Sequence, residues 1–147
     1  MSGFTHLDDE GNAVMVDVSA KSETERIATA RGSVIMAPET MALIVAGQVK
    51  KGDVLSVAQL AGIMGAKRTP DLVPLCHPLN LTSVKVDLIC DPDRNAVDIT
   101  ACCKLMGQTG VDATQNVANL SYGFVIQYLV SPHITKKKLS STFVTRI

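Results

Sequence analysis

Ser83-Val-Lys-Val-Asp-Leu-Ile-Cys-Asp-Pro-Asp-Arg-Asn-Ala-Val-Asp-Ile-Thr-Ala-Cys-Cys-Lys104 is the stretch whose reading decides the fold. Val84, Val86, Leu88 and Cys90 alternate with Ser83, Lys85, Asp87 and Ile89. After the turn residues Asp91-Pro-Asp-Arg-Asn95, Val97, Ile99, Ala101 and Cys103 alternate with Asp98, Thr100, Cys102 and Lys104. Side chains on a strand point to opposite faces in turn, so a period of two marks a β-hairpin with one buried face. That face needs a cover, and the flanking segments supply helices. The fold class is therefore α+β, with helices packed on one face of an antiparallel sheet.

Upstream, Thr5 to Asp17 reads as an extended start ending in strand-like Ala13-Val-Met-Val-Asp17, Lys21 to Arg31 as a loop or strand edge, and Ser33 to Met36 as a short strand. Pro38 opens a helix at its favoured first turn, with Glu39 near the positive end of the dipole and Gly47 as the stop. Its buried stripe is expected at Met41, Ile44 and Val45. Asp53 is a good N-cap for a second helix. Val54, Val57, Ala58, Ala61 and Met64 recur there at helical spacing, and Gly62 and Gly65 admit another backbone closely. Pro70 forces an exit, and Leu72 to Leu79 is expected to be an extended connector. A third helix is expected from Thr114 onward, from the recurrence of Val117, Ala118, Ser121, Phe124, Val125, Tyr128 and Leu129.

With 147 residues, 46% of them hydrophobic and 19% charged, the chain is read as one ordinary globular domain, 1–147. No apolar run reaches the ~20 residues that cross a bilayer. The acidic start Met1–Glu10 is neither a secretory signal nor an Arg-rich transit peptide, so a cytoplasmic protein is expected. Cys76, Cys90, Cys102 and Cys103 contain no C-x2-C pair, and reduced thiols are expected rather than disulfides or a metal site. The charge is unevenly spread. All 14 acidic residues lie at or before Asp112, and residues 113–147 carry only Lys136, Lys137, Lys138 and Arg146. With no aromatic–basic interleaving in the chain, a nucleic-acid partner is not expected.

Chemistry concentrates in three places. Lys50-Lys51-Gly52-Asp53 sets two ammonium groups beside a helix N-terminus, where an anion is favoured. Lys67-Arg68 ends the same helix. Pro74-Leu75-Cys76-His77-Pro78 holds an imidazole on a proline-stiffened segment, from which it can bind a phosphate or carry a proton. A solvated turn, a dipole-stabilising pair and a structural histidine are the bland readings of each. Together they make a polyanion pocket, without a P-loop, a G-x-G-x-x-G fingerprint or a metal cluster.

Met15-Val-Asp-Val-Ser19, Thr24-Glu-Arg26, Lys51-Gly-Asp53, Ala58-Gln-Leu-Ala-Gly62, Ala66-Lys-Arg-Thr69, Pro74-Leu-Cys-His-Pro78 and Thr109-Gly-Val111 occur together and in order. Over about Leu7 to Val111 the chain closely resembles the cyclic pyranopterin monophosphate synthase family, the MoaC proteins of molybdenum cofactor biosynthesis. The resemblance implies a ferredoxin-like fold and a phosphorus–oxygen lyase. Its substrate would be 3′,8-cyclo-7,8-dihydroguanosine triphosphate, made by a partner radical-SAM GTP cyclase. Its products would be cyclic pyranopterin monophosphate and pyrophosphate. It also implies no metal or organic cofactor, and a homo-oligomer built as a hexamer of dimers. By position, Lys51 and Lys67 would be catalytic, with Lys67 also holding phosphate oxygens. Arg26, Arg68, Leu75, Cys76, His77 and Asp112 would bind substrate.

Beyond Val111 the pattern departs. The family expects Glu-Met-Glu where this chain has Asp112-Ala-Thr114. Tyr128 and Ser131 stand where a catalytic aspartate and a second catalytic lysine are expected. Two readings therefore stand side by side: a working synthase, or an impaired variant that binds the nucleotide or joins a complete paralogue in mixed oligomers.

Overall fold

The alternating stretch forms β2 (Asn80–Asp91) and β3 (Ala96–Gly107), paired antiparallel from Asp91 opposite Ala96 to Asn80 opposite Met106. Val86 and the odd-numbered side chains Val97, Ile99, Ala101, Cys103 and Leu105 are buried, as the alternation requires. All four cysteines are free thiols. Burial pushes the Cys103 thiol up to about 12, which makes it a core side chain and no nucleophile near neutral pH. In this computed structural model, residues 7–48, 53–108, 111–130 and 140–144 are described.

The remaining elements are β1 (Thr24–Ile35), α1 (Pro38–Val45), α2 (Val54–Lys67), a single turn α3 (Thr69–Leu72), α4 (Val111–Leu129) and β4 (Ser140–Val144). The strand order is β2-β3-β1-β4, with β1 antiparallel to both neighbours, which is the ferredoxin-like arrangement. β1 is thus an inner strand of 12 residues, where the sequence offers a loop or strand edge followed by a short strand. Its helix-facing positions include Ala28, Ala30 and Gly32, too small to announce a strand by hydrophobic alternation. Their size has a structural purpose, because Tyr122 of α4 lies directly on Gly32. A Cβ there would stand 1.9 Å from the Tyr122 hydroxyl oxygen. Ala13 makes only an isolated bridge to Leu7, so the expected strand-like run of residues 13–17 is instead irregular.

The helix starts follow their local signals. Pro38 occupies the first turn of α1 with Glu39 beside it. Asp53 caps α2, its carboxylate accepting from the Ser56 backbone N–H at 3.1 Å and the Ser56 hydroxyl at 2.6 Å. The buried faces differ from expectation in two places. Val45 is exposed, leaving Met41 and Ile44 as the apolar contacts of α1. On α2 the buried face is Val54, Ala58, Gly62, Gly65 and Ala66, while Val57, Leu60 and Met64 lie outside, Leu60 at 57% exposure. Pro70 does not end helical structure but starts α3, where Thr69 donates its hydroxyl to the Ala66 carbonyl at 2.8 Å. α4 begins at Val111, three residues before the expected start, and buries Val117, Ala118, Ser121, Tyr122, Val125 and Leu129. The carboxylate-free region therefore supplies one wall of the core.

The reason for the small face of α2 is its contact with α4. A Cβ on Gly65 would meet the Leu120 carbonyl oxygen and the Phe124 ring carbon Cγ, both at 2.7 Å. Alanine would gain ~1 kcal/mol of helix propensity over glycine, but overpacking against a backbone atom costs about 1–3 kcal/mol. Gly65→Ala is therefore expected to destabilise the protein. Its urea midpoint should fall with an unchanged slope, and a midpoint that stays or rises would contradict the close approach.

Candidate functional site

The topology gathers the candidate residues at one end of the sheet. β1 begins there, with Thr24 opposite Gly107 of β3, and runs away from it. β2 must start again at the same end, at Asn80 opposite Met106. The path through α2 and α3 therefore carries the chain back to it. α4 leaves from that end too, directly after β3. Arg26 at the start of β1, Lys67 and Arg68 at the end of α2, and Leu75, Cys76 and His77 before β2 consequently share this end. Asp112 falls in the first turn of α4, with its side chain outside the described residues, and Lys51 is outside them altogether.

A cavity of about 260 Å³ opens here, lined by Val18, Glu23, the segment His77–Asn80, the end of β3 from Leu105 to Gly107, and Gln108 just beyond it. Sequence reasoning singled out only His77 among these. Glu23, Asn80 and Gln108 add a carboxylate and two amides to the wall, and none of them sits in a pattern that would have flagged it. Two amides, a carboxylate and an imidazole provide donors and acceptors for a polar heterocycle. The cationic groups lie on neighbouring elements.

Each candidate has its own setting. Leu75 is held at φ 61°, a left-handed conformation that costs a non-glycine residue ~1–3 kcal/mol and recurs at binding and catalytic segments. Proline on both sides of Leu75-Cys76-His77 holds this segment in place. The Cys76 thiol is raised by burial, and its Sγ lies 3.4 Å from the His77 carbonyl oxygen as a weak donor. His77 Nε2 is 2.6 Å from the Val16 carbonyl oxygen. A carbonyl can only accept, so Nε2 carries the proton, and in the neutral ring Nδ1 is left as the acceptor. This bond ties the irregular segment before β1 to the proline-bounded segment that lines the cavity. Beside it, the Ser19 backbone N–H at 2.9 Å is the main cause holding the Asp17 carboxyl below its usual range, with His77 adding a smaller pull.

Arg68 pairs with Asp71 at 3.4 Å, both well exposed, a contact worth ~0–1 kcal/mol. Lys67 is exposed on the last turn of α2, where a cation also suits the dipole. Arg26 is half-buried on the helix-covered face of β1, and its Nε is buried with no hydrogen-bond partner. An arginine held this way has its apolar stem covered and its terminal fork available to a phosphate. Among the described residues no group of histidine, cysteine and acidic side chains is disposed to hold a metal ion. Nor, among the described residues, is any helix long and apolar enough to cross a membrane.

Comparison with known proteins gives a consistent answer. Residues 15–121 match the model of the MoaC family. The chain is 68% identical over 110 residues to the cyclic pyranopterin monophosphate synthase of Rhodospirillum rubrum, covering 75% of this chain and 66% of that protein. It is 79% identical over 87 residues to the Azospirillum brasilense protein of the same name, covering 59% of this chain and 95% of that one. With the Dinoroseobacter shibae synthase it shares 61% over 112 residues, 76% of this chain and 71% of the relative.

The tie between His77 and Val16 has a direct consequence. A hydrogen bond of this kind contributes ~0.5–1.5 kcal/mol. His77→Phe is expected to raise the rate at which a nonspecific protease cuts between residues 14 and 18 by about two- to tenfold. An unchanged cleavage rate would show that the bond does not hold the segment.

Proposed function

This chain belongs to the MoaC family, and from that premise we propose that it acts as a cyclic pyranopterin monophosphate synthase in molybdenum cofactor biosynthesis. The substrate is 3′,8-cyclo-7,8-dihydroguanosine triphosphate. It is rearranged to cyclic pyranopterin monophosphate. A hydroxyl of the substrate attacks the α-phosphorus and closes the cyclic phosphate, its proton passing to a base, while the bond from the α-phosphorus to the bridging oxygen breaks and pyrophosphate leaves. The observation that carries this reading is the convergence of Arg26, Lys67 and the His77 segment on the end of the sheet where the cavity opens. A triphosphate substrate and a pyrophosphate leaving group demand clustered cations, and arginine offers a planar fork for them.

In this reading Lys51 and Lys67 are the catalytic lysines, and Arg26 and Lys67 hold phosphate oxygens. Arg68, Leu75, Cys76, His77 and Asp112 contact the rest of the substrate. A positioned lysine can pass a proton to or from a reacting group. The amides of Asn80 and Gln108 suit the heterocycle. No metal or organic cofactor is invoked, since ring opening, ring closure and displacement at phosphorus can be served by proton carriers and by cations on the phosphates.

We further propose a single domain over residues 1–147, a cytoplasmic setting, and a supply of substrate from a radical-SAM GTP cyclase. Assembly as a hexamer of dimers is in keeping with the outer face of α2. There Val57, Leu60 and Met64 recur at helical spacing and form an apolar stripe that a neighbouring subunit would cover.

The test is product formation from the cyclised nucleotide by the purified chain, followed by mass spectrometry. Pyranopterin is expected well above the rate without protein. Lys51→Ala and Lys67→Ala are each expected to lower kcat/KM by about 10²–10⁴-fold, the range typical of a positioned proton carrier. Absence of product from a folded protein that still takes up substrate would remove the claim that this chain alone is a synthase.

A further inference from the structure

Two buried polar atoms with opposite needs lie on facing elements near the cavity end. Gln115 on α4 is only 8% exposed. Its amide nitrogen donates to Asn119 Oδ1 at 2.9 Å, one turn further along the helix. Its amide oxygen Oε1 is buried and has no partner, and neither has Arg26 Nε. An amide oxygen can only accept and a guanidinium Nε can only donate. Leaving such groups unpaired away from water is unfavourable, so each calls for an explanation.

Their positions bring them to the same neighbourhood. α4 and β1 start at the same end and run in the same direction, and Tyr122 lies on Gly32. Gln115 precedes Tyr122 by two helical turns and so shares its sheet-facing side, about 10 Å nearer the cavity end. On β1 that distance is about three residues, which brings Gln115 over the stretch from Ala28 to Ala30. Arg26 is the next position on the same face of the strand. Between them on that face stands only the small side chain of Ala28.

From this we infer that Gln115 is a positioning residue for Arg26: when an oligophosphate binds, the Arg26 Nε–H donates to Gln115 Oε1. The bond fixes the rotation of the guanidinium plane and turns its two terminal nitrogens together toward the anion. Each orphan group gains its partner only in the bound state, so the pairing strengthens binding instead of competing with it. This rests on the reading of Arg26 as a phosphate ligand given above.

Inorganic tripolyphosphate, titrated calorimetrically into the full chain, isolates the effect from the chemistry. Four proteins are compared: wild type, Gln115→Met, Arg26→Ala and the double variant. Methionine keeps the shape of Gln115 and removes its acceptor. Gln115→Met is expected to weaken tripolyphosphate about tenfold, in the range of a hydrogen bond to a charged group, without lowering the thermal midpoint. In the Arg26→Ala background the same change is expected to cost less than about twofold. Equal losses in both backgrounds, or no loss in wild type, would overturn the coupling. So would an Arg26→Ala protein that binds as wild type does. Coupling without pyranopterin production would remove the synthase reading and leave this one standing. Pyranopterin production without coupling would do the reverse.

Discussion

The depth at which α4 lies against its two neighbours is the constraint from which the rest of the molecule follows. β1 offers it Ala28, Ala30 and Gly32, and α2 offers Ala58, Gly62, Gly65 and Ala66. Backbone approaches backbone on both sides, so the apolar bulk at these two seams comes from α4 itself, through Val117, Tyr122, Val125 and Leu129, while Ile99 and Leu105 of β3, Val34 of β1 and Met41 of α1 fill the core beside it. Packing of this kind gains dispersion contacts in proportion to how well the surfaces fit, and it tolerates added volume poorly. It also explains why the larger apolar residues of α2 are turned outward, since there is no room for them within.

The same packing determines where polar groups can gather. With β1 central and α4 pressed on it, the turn end of the sheet is closed by the β2–β3 connection. There Arg94 bonds Asp91 at 2.6 Å and also reaches Asp98, which accepts from Ser33. Those charges are satisfied among themselves. At the opposite end the strands stop, the helices begin and end, and the backbone of Leu75 is bent into a costly conformation. Partnered charge at one end and a cavity with an unpaired guanidinium nitrogen at the other give the domain a structural pole and a chemical one.

Legibility followed the size of the side chains. The hairpin was readable residue by residue, because valine, isoleucine and leucine alternate with charge. The N-cap at Asp53 and the proline start of α1 were equally plain. β1 was not readable, since alanine, glycine, threonine and arginine carry no strand signal until a helix is known to lie on them. The face of α2 was misjudged for the matching reason: Val57 and Met64 outweigh Gly62 and Gly65 on any hydrophobic scale, yet shape, not hydrophobicity, chose the buried side. Among the candidate site residues, the His77 segment was found by its flanking prolines. Arg26 entered only through the resemblance to a family. Glu23, Asn80, Gln108 and Gln115 had no signal in the sequence, because their neighbours in space are distant along the chain.

A strand that presents alanines and a glycine acts as a gauge for the helix laid upon it. One aromatic ring, that of Tyr122, must stand over Gly32, and the side chains before it must leave Ala28 and Ala30 in reach. Height and axial position of α4 are thereby fixed together, because a slip along the strand would drive the ring into a Cβ. The first turn of that helix is therefore delivered to the cavity end by steric fit, before any polar group there is engaged.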